Sequence, residues 1–460
     1  MTGDVAALLA ANLAFLGAGL GLTRAFGLWS SARGALSWAA VSYMAGVGAI
    51  GVAAQFALIA GLSLTRTQVL LGCLLFAACA LVRRGNASDE VEGAQRSAAW
   101  PLKAGVAVLL GLLLVESTVQ ALDTWDSWAM WTMKARALIL LDGLDPGLFA
   151  GSAYAGAHLD YPLLLPAVQA IDFRAMAALD TQVIHLQSAL LLVGWLAATA
   201  RLLRGRAHDL AVWSALGLIV AAPATISLVQ EGYADVPGAL FIALAALCAW
   251  LYLEEPRFRW TALLAVFATA GASTKREAWT FALGLFVVAL VGARYRKRPL
   301  LPVLGGFALF AATIGAWLAW LAHHGANATH GEEDLSRTLH PLYLADHIGR
   351  AAKAVGSLAG YSGRPSLWLI AAPLTLVAVA AALWTDGGRS VVWFLVPLVG
   401  LEYAALVWAF WISNAPIDWH LNHAAPRVVS TPIFVLVTFL PLLLTPSARL
   451  GKARGDRLGL

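Results

Sequence analysis

Residues 236–253 read VPGALFIALAALCAWLYL, eighteen consecutive positions without a charge, bounded by Asp235 and Glu254. As a helix this run is about 27 Å long at roughly 1.5 Å per residue, close to the hydrocarbon thickness of a bilayer. Comparable runs occupy 5–23, 38–61, 67–82, 102–121, 181–200, 209–229, 260–273, 279–292, 300–322, 366–384, 391–411 and 428–445, making thirteen in all. The sequence therefore predicts an all-α fold, a polytopic transmembrane helical bundle of about 13 spans. The stretch from Pro162 to Leu179 is apolar enough to be a further span. Its Pro162, Pro166, Asp172 and Arg174 instead suit an interfacial helix.

Composition points the same way. Of 460 residues, 60% are hydrophobic and 12% charged, against about 25% charged in soluble domains. A soluble enzyme is excluded, and so is a disordered or fibrous chain, because 19 Trp, 17 Phe and 9 Tyr are spread through the apolar runs. Cys73, Cys79 and Cys248 all lie inside such runs and read as small hydrophobes rather than disulfide partners or metal ligands. The formal charge of +5 is explained first by basic loops on the cytoplasmic side, so no nucleic-acid partner is implied. Asp4, not a basic region, precedes the first run, and no small-residue cleavage site follows; a removable signal peptide is not expected.

Charge sets the orientation. With the N-terminus outside and the C-terminus cytoplasmic, 20 of the 31 basic residues face inward and 18 of the 26 acidic residues outward, a net +12 inside and −7 outside. The expected location is a multi-pass protein of the cell inner (plasma) membrane. Two outward loops are then long, about 123–180 and 323–365, which points to function on the outer face. The expected organisation is three leading transmembrane helices over 1–83, a polar cytoplasmic linker over 84–101, a main transmembrane module over 102–445 and a basic cytoplasmic tail over 446–460.

The first long outer loop begins DTWDSWAMWTMKARALILLDG, residues 123–143. At 100° per residue, Trp128, Trp131, Ala135, Leu138 and Ile139 share one arc, with Asp123, Asp126, Met130 and Lys134 opposite. This predicts an amphipathic juxtamembrane helix, anchored by tryptophan and holding two aspartates at the water boundary. Capping a helix start needs one aspartate; a second, three residues on and ahead of a same-side lysine, points to a catalytic or ligand-holding group. The loop ends in HLDYPLLLPAVQAI, which brings His158, Asp160 and Tyr161 to the start of a second juxtamembrane helix.

Three more outward elements carry charge at the membrane edge. QEGYADVPG places Glu231 and Asp235 there, STKREAW places Lys275 and Arg276, and WISNAPIDWHLNHAAPRV brings Asp418, His420, His423 and Arg427. Each pair alone could be an ordinary loop or snorkelling charge. Together they change the reading, because Lys275 and Arg276 run against the inward preference of basic residues and suit a phosphate emerging from the membrane. The spacing of His420 and His423 is a weak metal signal. Glu402, midway along the twelfth run, is an intramembrane carboxylate and a functional suspect by default.

From residue 102 onward, the order and sidedness of these elements resemble the GT-C superfamily of integral-membrane glycosyltransferases, in particular bacterial relatives of protein O-mannosyltransferases and lipid A aminoarabinose transferases. The resemblance rests on an acidic residue opening a juxtamembrane helix (Asp123 or Asp126), on DYPLLLP at Asp160 to Pro166, on EGYADVP as a second acidic loop and on TKREA as an outer basic motif. The three leading helices and the WDSW context depart from the simplest family pattern. The resemblance implies transfer of a sugar from a polyprenyl-phosphate donor to an acceptor hydroxyl of a glycan, lipid or protein, at the outer face and by inverting displacement. It implies Asp123 or Asp126 as base, with Asp126 preferred and Asp123 and Asp235 supporting, and Lys275, Arg276 and Arg427 holding phosphate. Lys134, His158, Asp160, Tyr161, Glu231 and His420 join them as substrate-binding candidates. No cofactor is required; the acidic cluster admits a dissociable divalent metal without demanding one. The absence of GxxxxGK[ST] agrees with a donor activated by lipid phosphate rather than nucleotide. The competing readings are a transporter or flippase of a lipid-linked or amphipathic substrate, and a polysaccharide polymerase or ligase using a lipid diphosphate.

Overall fold

A computed structural model describes residues 2–82, 98–150, 157–326 and 335–445; most of the expected linker and all of the expected basic tail lie outside these. The described residues contain helices and no strand. In chain order the principal helices are α1 (Thr2–Ala25), α2 (Ala39–Ile59), α3 (Arg66–Ala78), α4 (Trp100–Glu116), α5 (Met133–Leu140), α6 (Leu164–Met176), α7 (Leu186–Leu203), α8 (Asp209–Val220), α9 (Pro223–Gln230), α10 (Asp235–Glu254), α11 (Phe258–Ala272), α12 (Glu277–Tyr295), α13 (Leu301–His323), α14 (Ile348–Ser362), α15 (Ala371–Ala382), α16 (Asp386–Ile412), α17 (Ile417–Val428) and α18 (Ser430–Leu443).

Among the described residues eight helical segments are long and apolar enough to cross a membrane, or nine if α8 and α9, bent by 57° at Pro223, form one span. The protein is thus a helical membrane protein, with fewer full-length spans than the thirteen apolar runs suggest. The remaining runs fold as shorter helices: α3, α4, α11 and α15 hold 13, 17, 15 and 12 residues. Runs of apolar residues count candidates, whereas spanning needs about 20 residues in one unbroken helix.

The core is α10. Every residue from Asp235 to Leu253 is buried, so a helix apolar on all sides is enclosed on all sides. It packs against α7, α11, α12 and α18, and α18 is itself buried throughout. The leading helices belong to the same body. α1 crosses α2 at Gly19 and Gly46, where a methyl group on either glycine would meet backbone oxygen of the other helix, Ser42 O at 1.7 Å or Phe15 O at 1.9 Å. This is the close approach that small residues allow between helices in lipid. Asn12 donates to Gln187 Oε1 (2.8 Å) and accepts from Tyr43 OH (2.7 Å), tying α1, α2 and α7 together.

Those helices also cover α6. Eleven of its thirteen residues are buried, and it packs on α1, α2 and α5, so the expected interfacial helix is enclosed rather than laid on lipid. Arg66, opening α3, holds its end by donating to Arg174 O (2.7 Å) and Ala175 O (3.2 Å). The segment Asp126–Thr132 is a π-helical turn leading into α5. Its wider winding overturns the expected division of faces. Met130, Trp131, Lys134, Ala135 and Leu138 form the buried side, and Trp128 is turned outward, 47% exposed.

The second long loop has a structural task. Arg350 Nη2 donates to Ser413 O and Ala415 O (both 2.9 Å), and Arg337 Nη1 donates to Ser413 O (2.9 Å), closing the C-terminal end of α16 with guanidinium groups.

Candidate functional site

Five charge-bearing segments meet at one end of the bundle. Met130 and Trp131 of the π turn, Tyr161 and Leu165 at the start of α6, and Ala234 before α10 form one small apolar cluster. The ionisable residues gather around it. Asp126, the first residue of the π turn, pairs with Arg427 near the end of α17. Asp235, the first residue of α10, accepts from Lys275 Nζ at 2.8 Å, and Glu277, opening α12, lies 3.3 Å from the same ammonium. Arg276 donates to Asp160 Oδ2 at 2.7 Å. Asp235 and Glu277 each begin a helix, where a carboxylate is favoured by the positive end of the helix dipole.

The field of Arg427 reaches beyond its partner, acting on both Asp235 and Lys275 as well as on Tyr233. Its guanidinium stands 4.6 Å above the Tyr233 ring. Burial alone would lower the Lys275 ammonium; Asp235 and Glu277 outweigh it and hold the group above the ordinary lysine range. Lys275 is therefore charged at any physiological pH. Burial raises the Tyr233 hydroxyl, so it stays a neutral donor. The cations are outnumbered: Lys275, Arg276 and Arg427 face Asp126, Asp160, Asp235 and Glu277. One oxygen of Asp235 (Oδ2) and one of Glu277 (Oε2) have no hydrogen-bond partner among the described residues. A narrow cleft lined by Asp235, Lys275, Glu277, Phe281, Val428 and Thr431 opens there.

A second layer fixes the loop that carries Asp160. Lys134 is fully buried, donates from Nζ to His158 O (2.7 Å), and stands 5.0 Å from the Trp131 ring and 5.7 Å from the Tyr161 ring. Burial lowers its ammonium to about 7 despite the field of Asp160, which raises it. This corrects the expected water-facing position: Lys134 braces the loop from beneath and contacts no open space. His158 is held with φ 45°, and its ring lies 5.0 Å from that of Tyr161. Tyr161 OH reaches Glu277 Oε1 at 3.5 Å, and Trp317 of α13 donates to Asp160 O at 2.8 Å.

The other candidates stand apart. Asp123 is exposed, and its charge acts on His185 rather than on the basic residues of the cluster. Glu231 accepts from Ser227 Oγ (2.5 Å), and its carbonyl accepts from Thr124 (3.3 Å), so it contributes field at Tyr233 without joining an ion pair among the described residues. His420 is buried against Phe410 with Nδ1 at 2.9 Å from Ser413 Oγ, a packing position within the α16–α17 joint. His423 stacks on Trp419, and Asp418 pairs with Lys353 in the open. No group of three or more His, Cys, Asp and Glu side chains among the described residues is arranged to hold a metal ion, because each acid of the cluster faces a cation instead.

Three participants escaped the sequence reading. Glu277 and Tyr233 lie inside the quoted motifs, and a carboxylate two residues beyond Lys275 was a usable signal. Trp317 carried none, being one apolar residue within an apolar run. Compared with models of known families, with curated proteins and with solved structures, the chain matches none.

Proposed function

We propose that this chain is a membrane glycosyltransferase, moving a sugar from a polyprenyl-phosphate donor to an acceptor hydroxyl at the outer face of the membrane. The observation that supports this reading is the convergence of Asp126, Asp160, Asp235, Lys275, Arg276, Glu277 and Arg427, from five separate segments, at one end of the bundle. Isolated surface charges have no reason to meet there, and burying them costs solvation that only mutual pairing offsets.

The chemistry follows from the pairs. The phosphate of the donor competes with Asp126 for Arg427, and with Asp160 for Arg276, through charge-assisted hydrogen bonds of the same kind. Drawing Arg427 away leaves Asp126 able to accept a proton. The acceptor oxygen then bonds to the anomeric carbon as the bond from that carbon to the phosphate oxygen breaks. The hydroxyl proton passes to Asp126, and the charge growing on the departing phosphate is held by Lys275, Arg276 and Arg427. One displacement inverts the anomeric centre.

The test is incubation of the purified protein with a panel of polyprenyl-phosphate sugars, following release of the lipid phosphate. Release that depends on Asp126 supports the proposal. The Lys275→Ala/Arg276→Ala double variant should bind polyprenyl phosphate at least tenfold more weakly, and unchanged affinity would remove both from the phosphate site. The transporter reading draws on the bent α8–α9 pair and on Glu402, buried within α16 with neither oxygen partnered among the described residues. Transbilayer movement of the donor in proteoliposomes, without cleavage, would favour it.

A further inference from the structure

The end of α12 opposite Glu277 carries four cations in five residues, Arg294, Arg296, Lys297 and Arg298, and the fold sorts them. Arg296 pairs with Glu254, and Arg298 donates from Nε to Leu253 O and from Nη2 to Glu254 O, both at 3.1 Å. Tyr252 OH donates to Pro299 O, and Arg298 N donates to Ala293 O at 2.8 Å, so the turn is fastened to the end of α10. Lys297 is held in the left-handed region with φ 54°. These two arginines are committed to the protein. Arg294 and Lys297 are exposed and make no ion pair with a described residue.

Both stand on an open groove of about 510 Å³, lined also by Leu290, Val291 and Tyr295. Along the same helix Leu283, Val287 and Val291 are exposed at intervals of four residues, an apolar stripe leading away from the two cations. Tyr295, 87% exposed, sits at the polar end of that stripe, as suits an amphipathic ring at headgroup depth.

We propose that this groove binds one anionic phospholipid, its phosphate between Arg294 and Lys297 and an acyl chain along Leu283, Val287 and Val291. Charge complementarity selects the occupant. Two cations with no ion pair among the described residues suit a headgroup of net negative charge, whereas a zwitterionic headgroup brings an ammonium of its own against them. The apolar stripe separates a lipid from a free phosphate, which would gain the cations and nothing else. The groove lies a full helix, roughly 28 Å at 1.5 Å per residue, from Glu277, and is independent of the site described above.

The full chain, reconstituted in phosphatidylcholine vesicles, should be titrated with spin-labelled phosphatidylglycerol and, separately, spin-labelled phosphatidylcholine. The immobilised spectral component gives the relative association of each. Phosphatidylglycerol should be preferred about three- to tenfold, and R294Q/K297Q should bring the ratio near one, while R389Q, which removes another basic residue of the chain, leaves it unchanged. Equal association of the two lipids with the parent protein overturns the proposal. So does a preference that survives R294Q/K297Q, which would place it on the basic surface at large, or one abolished by 10 mM inorganic phosphate, which would make the site an ion site.

Discussion

Acidic and basic side chains gather at both ends of the bundle, and the two gatherings are built differently. Around Glu255, between α10 and α11, one carboxylate receives three arginines: Arg257 at 2.7 Å, Arg259 at 3.5 Å and Arg206 at 3.6 Å. Two of the three lie within four residues of it, and Arg257 is half exposed. Trp260 completes the group by donating to Glu255 Oε2 (3.2 Å) beneath Arg206 and Arg259. At the candidate site the members come from distant segments, four carboxylates face three cations, and the Lys275–Asp235 pair is nearly sealed, with side chains 10% and 3% exposed. A local cluster with excess positive charge is the kind of basic loop that the charge asymmetry of membrane proteins leads one to expect. A buried, long-range cluster with carboxylate oxygens to spare has capacity for chemistry, and it exists only when the whole fold is in place.

The strongest way to break this contrast is Asp126→Asn. Sugar transfer should fall by about 10²- to 10⁴-fold, the range of a lost general base, with expression and membrane insertion retained. Release of polyprenyl phosphate at the parent rate would take Asp126 out of the base role. Lys275→Ala comes next, because it strands Asp235 and Glu277 beside each other in a buried site. Breaking a buried pair costs about 3–5 kcal/mol, readable as a lowered unfolding midpoint in detergent. The Asp235→Asn/Lys275→Met double variant should recover most of that loss. A Lys275→Ala protein as stable as its parent contradicts the burial of the pair.

Lys134 sharpens the comparison through pH. Its ammonium is lowered by burial to about 7, whereas in the unfolded chain it keeps its proton to about 10.4. Between those values the unfolded state binds more protons, so the folded state gains stability as pH rises from 7 toward 10; below 7 both states are charged and the burial penalty is complete. Stability in detergent should therefore climb across this window, and Lys134→Met should flatten the climb. A parallel pH profile in the variant would show that Lys134 is solvated.

How far the sequence reached is uneven, for physical reasons. A helix such as α10 is legible because an uninterrupted apolar run has one stable outcome in lipid. The charged motifs were legible as a group, since Asp126, Asp160, Asp235, Lys275, Arg276 and Arg427 share one end of the bundle. The placement of Lys134 was not, because a single π turn over Asp126–Thr132 changes the winding on which a 100° projection depends. Nor was the enclosure of α6, since Asp172 and Arg174 mark it as interfacial until α1 and α2 fold over it. His420 misled for a related reason: a histidine in a polar motif looks like a ligand until Phe410 and Ser413 pack around it.

The smallest effect belongs to the other end of the molecule. Arg257→Ala removes the closest partner of Glu255, yet Arg259 and Arg206 remain within 3.6 Å and Trp260 still donates to the carboxylate. Burial raises the Glu255 carboxyl, and the three arginines together outweigh it and hold the group below the usual glutamate range. Its contribution to stability is therefore present above about pH 4.3 and is lost as pH falls below that, and removing one arginine of three only narrows this margin. A half-exposed arginine in a redundant cluster should cost at most about 0.5 kcal/mol and leave sugar transfer unchanged. A loss of several kcal/mol, measured by unfolding in detergent at neutral pH, would mean that the Glu255 cluster is as interdependent as the site at the opposite end, and the distinction between local and long-range charge would fail as a guide to function.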